Sequence, residues 1–388
     1  MPWRETCVMD ERIKFIGEVL EDADSFTAVC RRYGISRYVG YKLVRRYKAE
    51  GLAGIVEHSR APKRHPNQTA DWVVNRVLEL KRRPDFKNAG PKKLVAWLQR
   101  FEPSFPVPAP STVGVILERH GLTEHRHRRR GVARHQLPEA PGAAPNALWT
   151  IDHKGEFWTG NGRRCVPLTM QDHFSRFVLR LHATTSTRYA QVEPILRSVF
   201  TEYGLPDAIR SDNGTPFASR APGGLTAFGV FLAKLGIRHE RIEPGHPEQN
   251  GRHERMHRTL KMETARPPRA SISEQQRAFW QYQRFHNEER PHEALGLLPP
   301  ADFYAASTRV MPRHIAPPEY SNEHIVRRVS QKGMVAFAAR EVYVGSGLAG
   351  ELVGALEARE GVWRLEYYAV LIGHADVRSD VTRILAAR

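Results

Sequence analysis

Ser211-Asp212-Asn213-Gly214 is followed about forty residues later by Asn250-Gly251-Arg252-His253-Glu254-Arg255, and a third acidic landmark, Trp149-Thr150-Ile151-Asp152, lies upstream. This order of two Asp and one Glu constrains the fold more than any other feature. Asp152 ends an apolar strand start, where its side chain can emerge from a sheet. Asp212 follows the short strand pattern Ala208-Ile209-Arg210, and Asn213-Gly214 forces a turn just past it, because both residues tolerate positive φ. Glu254 falls in the first turn of a helix opening at Asn250-Gly251, where the helix dipole favours a carboxylate. Two strand-end Asp and one helix Glu can converge at one edge of a sheet.

Such a trio suits displacement at a phosphodiester, which needs a nucleophilic oxygen, in-line geometry and neutralised charge. Two divalent ions about 3.5–4 Å apart can bind both the attacking and the leaving oxygen. Hard cations such as Mg²⁺ take oxygen ligands and keep several waters, so a few carboxylates suffice. Asp152, Asp212 and Glu254 are therefore the candidate catalytic residues and metal ligands. Asn-Gly turns are common, so Asp212-Asn213-Gly214 alone is a weak signal, and the joint arrangement carries the reading. Arg258 and Lys261, at i+4 and i+7 from Glu254, share its face and could hold the phosphates of a DNA end. Glu263 falls on the opposite face, Glu243 and Glu248 lie in a Pro/Gly loop, and Asp172 lies in a hairpin turn; all four are poor candidates.

The net charge of +17 favours a nucleic-acid partner. Cys7, Cys30 and Cys165 are far apart and form no C-x-x-C pair, which argues against a disulfide framework and a thiolate zinc site and fits a reducing cytoplasm. No apolar run approaches the length of a membrane span, and the N-terminus has no signal-peptide core. A cytoplasmic, DNA-associated protein is the expectation.

The chain divides into five stretches. Residues 1–60 read as a helix-turn-helix. Ile13, Ile16, Val19 and Leu20 mark one helix, and Ser25 can cap a second. Gly34-Ile35 makes the turn, and Ser36 caps a third helix whose Val39, Leu43, Val44 and Tyr47 face inward. The other faces of that helix carry Arg37, Tyr38, Tyr41, Lys42, Arg45 and Arg46, a basic, aromatic surface suited to a major groove. Residues 67–121 look like a second, less basic helix-turn-helix, with Trp72, Val73, Val77, Leu78 and Leu80 on its first helix. A structural helical bundle is an open alternative there. Residues 122–146 form a basic linker whose Arg128, Arg129 and Arg130 can track a phosphate backbone. Residues 147–305 turn α/β, starting with a strand from Trp149 to Trp158, and imply a mixed sheet with helical cover. Residues 321–388 hold short strands between Gly-containing turns, and a small β-barrel closes them most simply.

Residues 147–305 resemble the catalytic core of retroviral-type integrases and of the DDE transposases of bacterial insertion sequences. The resemblance rests on Trp149–Asp152, on Arg210–Phe217, on His246–Lys261, and on Phe285-His286-Asn287-Glu288-Glu289-Arg290-Pro291-His292-Glu293-Ala294-Leu295-Gly296. It implies a ribonuclease-H-like fold, catalytic roles for Asp152, Asp212 and Glu254, two Mg²⁺ or Mn²⁺ ions per site, nicking at element ends, and strand transfer by a DNA 3′-hydroxyl. The implied partners are double-stranded DNA, both element ends and target, and further copies of the chain. There are departures. Lys154 stands where many integrases have Thr, and the Asp212-to-Glu254 interval is longer than the family's usual one, with the extra residues around Ser219–Gly224. The first domain lacks the His/Cys zinc module of retroviral integrases. The leading expectation is a transposase or integrase. The alternatives are a catalytically silent DNA-binding regulator derived from a transposase, and a ribonuclease H, which the DNA-binding modules disfavour.

Overall fold

The computed structural model describes residues 7–57, 59, 68–123, 143–219, 221–243, 251–338, 340–378 and 384–385. Two compact units emerge, Met1–Gln68 and Thr69–Arg388.

In the first unit three helices, α1 (Val8–Glu21), α2 (Phe26–Arg32) and α3 (Arg37–Glu50), are followed by a 3₁₀ turn over Gly51–Ile55. Phe15, Ile16, Val29, Cys30, Leu43 and Ile55 fill the core. Gly34 makes the turn at φ +62°, and Ser36 caps α3 by accepting from the Val39 amide. Ser25 stands at the start of α2, but its side chain makes no capping bond. The inward stripe of α3 differs from the expected one. Val39 is exposed and Gly40 takes the inward place. A β-carbon at Gly40 would stand 2.7 Å from Cys30 Sγ and 3.0 Å from the Phe26 ring, so the helices close over hydrogen there. Ile13 and Leu20 also face out, while Phe15 takes an inward place on α1.

The second unit opens with α4 (Asp71–Arg82), α5 (Pro91–Phe101) and α6 (Pro110–Arg119). Val77, Leu78, Leu80, Leu94, Val95, Trp97, Leu98, Val113, Ile116 and Leu117 pack together. Trp72 is exposed and meets Phe105 edge-on.

Next comes a mixed sheet of β1 (Trp149–His153), β2 (Phe157–Trp158), β3 (Arg164–Asp172), β4 (Val178–Thr184), β5 (Ala208–Ser211) and β6 (Arg238–Arg241). β3 lies between β4 and β1, antiparallel to both, and β1 continues parallel to β5 and β5 to β6. The single strand expected from Trp149 to Trp158 is broken. Gly155 takes φ +53°, the Lys154 amide donates to the Pro167 carbonyl, and β2 pairs separately with the start of β3. The sheet core of Trp149, Ile151, Leu168 and Met170 is covered by α7 (Tyr189–Tyr203) and α8 (Ala227–Lys234). The other cover is α9 (Gly251–Thr264) and α10 (Ile272–Glu288).

α10 also finishes the sheet edge. Gln276, Gln283 and Asn287 recur at helical spacing, and their amides bond the backbone of Val178, Leu179, Leu181 and Ala183 on β4. An edge strand's free N–H and C=O groups are thereby satisfied by side chains, which blocks edge-to-edge pairing. The same helix anchors α4–α6. Phe285 enters their core, Trp97 Nε1 donates to Glu289, and Arg100 forks onto Asp302 at 2.7 and 2.9 Å.

The C-terminal strands are β7 (Ile325–Arg328), β8 (Met334–Phe337), β9 (Arg340–Tyr343), β10 (Leu352–Arg359), β11 (Val362–Tyr367), β12 (Val370–Asp376) and β13 (Ile384–Leu385). Among the described residues they do not close into the expected barrel. They form an antiparallel sheet in the order β13-β12-β11-β10-β7, while β8 and β9 pair only with each other. The sheet instead covers its apolar face against α8: Leu225, Val230 and Ala233 share one core with Val353, Leu365 and Ile372.

Candidate active site

β1 and β5 run in register, Thr150 opposite Arg210 and Ile151 opposite Ser211. One residue further along each chain stand Asp152 and Asp212, at the ends of strands spaced about 4.8 Å apart. The Asp152 side chain is only 17% exposed. Burial first, and the neighbouring Asp212 charge second, push its carboxyl up to about 7; Lys154 opposes the rise and Glu254 adds to it. Asp212 is fixed by its own turn. Its Oδ1 accepts from the Gly214 amide at 3.1 Å, and Asn213 Nδ2 donates to the Ile242 carbonyl at 2.7 Å. A β-carbon at Gly214 would stand 3.0 Å from Asp212 Oδ2, so glycine leaves room for the carboxylate.

Glu254 is carried by α9, whose inward face is partly polar. His253 and His257 are both about 1% exposed, beside the apolar Met256 and Leu260. Thr169 Oγ1 lies 2.6 Å from His253 Nε2, 2.7 Å from His257 Nε2 and 3.0 Å from the Asp152 carbonyl. His253 Nδ1 meets Thr150 Oγ1 at 2.7 Å. A hydroxyl has one proton, so at least one imidazole must donate to Thr169. Burial holds both rings neutral: it depresses His253 to about 3 and His257 further still. His257 Nδ1 also faces Asp152 Oδ2 at 3.7 Å. This network docks α9 on β1 and β3 and turns Glu254, Arg258 and Lys261 outward together, all exposed. Sequence reasoning missed Thr150, Thr169, His253 and His257. The available signal was the i, i+4 His pair in line with Met256 and Leu260.

The disfavoured carboxylates have other work. Asp172 is buried and accepts from the Asn146 and Ser175 amides and the Ser175 hydroxyl, which shapes the β3–β4 turn. Glu263 pairs with the buried Arg290. Glu248 lies outside the described residues. As placed, no three His, Cys, Asp or Glu groups among the described residues close into a metal-ligand cluster. The donor chemistry nevertheless fits a hard divalent cation. Asp152 and Asp212 offer oxygen ligands whose mutual repulsion a cation would relieve, and Glu254 adds to the same field.

On α3 of the first unit, Arg37, Tyr38, Tyr41, Lys42 and Arg45 are exposed along one face. Tyr41 stacks on Phe26 with ring centroids 4.2 Å apart, which fixes its ring. Arg46 is turned away: it is half-buried and donates to the Val56 carbonyl, which ties α3 to the turn that follows. Arg128, Arg129 and Arg130 lie outside the described residues.

Known proteins share these parts. Residues 142–247 and 235–300 each match an integrase core domain, residues 11–63 a helix-turn-helix domain and residues 39–117 a homeodomain-like domain. The chain is 28% identical to an uncharacterized 39.2 kDa protein of insertion element IS476 from Xanthomonas euvesicatoria, over 71% of this chain and 77% of that protein. It is 31% identical to an uncharacterized 31.7 kDa protein of insertion element IS407 from Burkholderia multivorans, over 48% of this chain and 65% of that one. It is also 31% identical to the Gag-Pol polyprotein of avian reticuloendotheliosis virus, over 31% of this chain and 10% of the polyprotein. The match thus spans less than two thirds of the IS407 protein and a small part of the viral one. Among solved structures, an intasome of simian T-cell lymphotropic virus in complex with a PP2A regulatory subunit aligns over 80% of this chain and 99% of that one, with 16% identity and a TM-score of 0.38. The HTLV-2 integrase catalytic core in complex with magnesium aligns over 42% of this chain and 99% of its own, with 17% identity and a TM-score of 0.33. In the second unit no helix among the described residues, nor any in the first, is long and apolar enough to cross a membrane. The chain carries helix-turn-helix domains and an integrase core domain, and it is homologous to the IS476 and IS407 insertion-element proteins and to retroviral integrases.

Proposed function

We propose that the chain is a transposase or integrase of an insertion element, which binds the element's DNA ends and catalyses metal-dependent cleavage and strand transfer. The observation that carries this is the register of β1 and β5, which sets Asp152 beside Asp212 with Glu254 on the helix docked above them. Asp152, Asp212 and Glu254 would hold Mg²⁺ or Mn²⁺, two ions per site. When bound, the cations neutralise the phosphodiester and activate the attacking water or 3′-hydroxyl. Arg258 and Lys261, on the face of Glu254, hold the phosphates of the DNA end. Arg37, Tyr38, Tyr41, Lys42 and Arg45 meet the major groove, and Arg128, Arg129 and Arg130 follow the backbone.

The working unit on DNA is at least a dimer, because two ends must be joined to one target. Of the α10 aromatics, Phe279, Tyr282 and Phe285 are core residues. Trp280 is 54% exposed beside a groove lined by Arg180, His182, Gln191 and Ile195, and a second copy would cover it.

The test is a nicking and strand-transfer assay on DNA flanking the coding sequence. Asp152→Asn, Asp212→Asn and Glu254→Gln should each abolish both reactions and keep DNA binding. Glu248→Gln serves as control and should stay active. Near-normal activity in any one of the three would remove that residue from the site. Specific binding by the wild type with no metal-dependent nicking would favour the silent regulator.

A further inference from the structure

Lys154 follows Asp152 by two residues and turns beside the carboxylates. It lies within electrostatic reach of Asp152, His253 and His257. It lines a cleft of about 160 Å³ between the β1–β2 turn and the second half of α9, together with Glu156, Phe157, Pro167, Leu260 and Lys261. The cleft therefore has an ammonium group on each wall: Lys154 from the sheet, Lys261 from the helix. Neither makes a hydrogen bond or an ion pair among the described residues. Glu156, the one acidic residue among the described lining residues, is engaged by Arg164 at 2.6 Å. The Lys154 backbone is held by the Pro167 carbonyl, and Gly155 at φ +53° supplies the turn, so the position is built rather than frayed.

Two lysines without an acidic side-chain partner among the described residues, lining one cleft with Lys154 in electrostatic reach of Asp152, suit one anion between them. A strand presented to Asp152 and Asp212 carries such anions as its own phosphates. We propose that Lys154 and Lys261 form a clamp on a backbone phosphate of the DNA strand, next to the phosphate that is cut. This rests on the proposed function and deepens it: Lys154 positions the strand so that the reacting bond stays in line. Lysine suits the task as a compact point charge with three donors.

The experiment uses the full chain with Ca²⁺ in place of Mg²⁺, and a fluorescein-labelled duplex from the DNA flanking the coding sequence. A matched set of duplexes carries a neutral methylphosphonate at one phosphate at a time. Lys154→Ala should weaken binding of the parent duplex about five- to tenfold near 0.1 M salt, and make the slope of log affinity against log salt shallower by about one. Lys154→Arg should restore most of the loss, which an unfolded variant could not do. One methylphosphonate position should abolish the difference between wild type and Lys154→Ala, and the same position should do so for Lys261→Ala. Wild-type affinity and slope in Lys154→Ala would overturn the clamp, as would an equal loss at every methylphosphonate position. Nicking by wild type in Mg²⁺ is read separately. Its absence with the clamp signature intact would defeat the proposed chemistry and leave the clamp standing. Its presence without that signature would do the reverse.

Discussion

Replacing Asp152 with Asn is expected to abolish cleavage and, in the absence of metal, to stabilise the protein. Burial and the Asp212 charge raise the Asp152 carboxyl from its usual 3.8 to about 7. The gap is about 3, and each unit corresponds to about 1.4 kcal/mol, so keeping Asp152 charged costs the fold about 4 kcal/mol above pH 7. The sign follows from which state ionises first. The unfolded chain loses this proton near pH 4, the folded one near pH 7, so this group's contribution to stability falls as pH rises through that window and is constant outside it. Asn has the same shape and no charge. Its advantage over Asp should therefore grow by about 2–3 kcal/mol between pH 5 and pH 8. Amide hydrogen exchange in β1 and β5, with EDTA present and the two proteins compared at each pH, reads this locally. Equal protection at pH 8, or a gain as large at pH 5 as at pH 8, would refute the reasoning. Adding Mn²⁺ at pH 8 should protect the wild type more than Asp152→Asn, because only the wild type has the buried Asp152 charge and its repulsion with Asp212 for a cation to relieve.

Thr169→Val keeps shape but removes the hydroxyl shared by His253, His257 and the Asp152 carbonyl. It should cost about 1–3 kcal/mol and slow nicking with little change in DNA affinity; unaltered nicking would mean that α9 docks without it. Gly40→Ala puts a β-carbon 2.7 Å from Cys30 Sγ. It should destabilise the first unit by about 1–3 kcal/mol, read as faster exchange in α1–α3 and loss of sequence-specific binding. Trp280→Glu should convert the DNA-bound species to a monomer by light scattering, with the core still folded; a persistent dimer would place the contact elsewhere.

The elements that carry Asp212 and Glu254 were legible because one sits at a turn and the other in a helix's first turn, where local chemistry dictates the backbone, and Asp152 was legible from the apolar strand start before it. The parts that hold them were not. Gln276, Gln283 and Asn287 look like a solvent face, since polar residues at helical spacing normally mark one. Here their amides replace a missing neighbour strand. His253 and His257 share a helical face with Met256 and Leu260, which signals burial, but the sequence alone does not show that their partners are Thr150 and Thr169. The break at Lys154-Gly155 was hidden because residues on either side favour strands. Barrel closure failed as an expectation because short strands between Gly turns specify pairing, not what covers the final sheet. Here α8 covers it.

The long interval between Asp212 and Glu254 has a structural reason that the catalytic residues alone would not suggest. Residues 221–224 lie against β12: Gly223, at φ +68°, would place a β-carbon 3.0 Å from Ile372 Cα, and one at Gly345 would stand 3.1 Å from Ala221 Cβ. Just beyond, α8 pairs Lys234 with Glu351 at 2.5 Å, and Glu351 accepts from Tyr367 at 2.8 Å. The added residues are thus a joint between the Asp212 turn and the C-terminal sheet. α10 makes the matching joint on its side, seating α4–α6 through Phe285 and the adjoining Glu289, while Asp302, in the later turn Pro300–Phe303, takes Arg100. Within Thr69–Arg388 the carboxylates therefore sit between two packed attachments, with buried apolar contacts at both. A displacement of the C-terminal strands would reach the Asp212 turn through a few packed residues. Conversely, loosening Gly223 or Lys234 should disturb Asp212 before it disturbs Asp152, whose place is set by β3 and the threonine–histidine network.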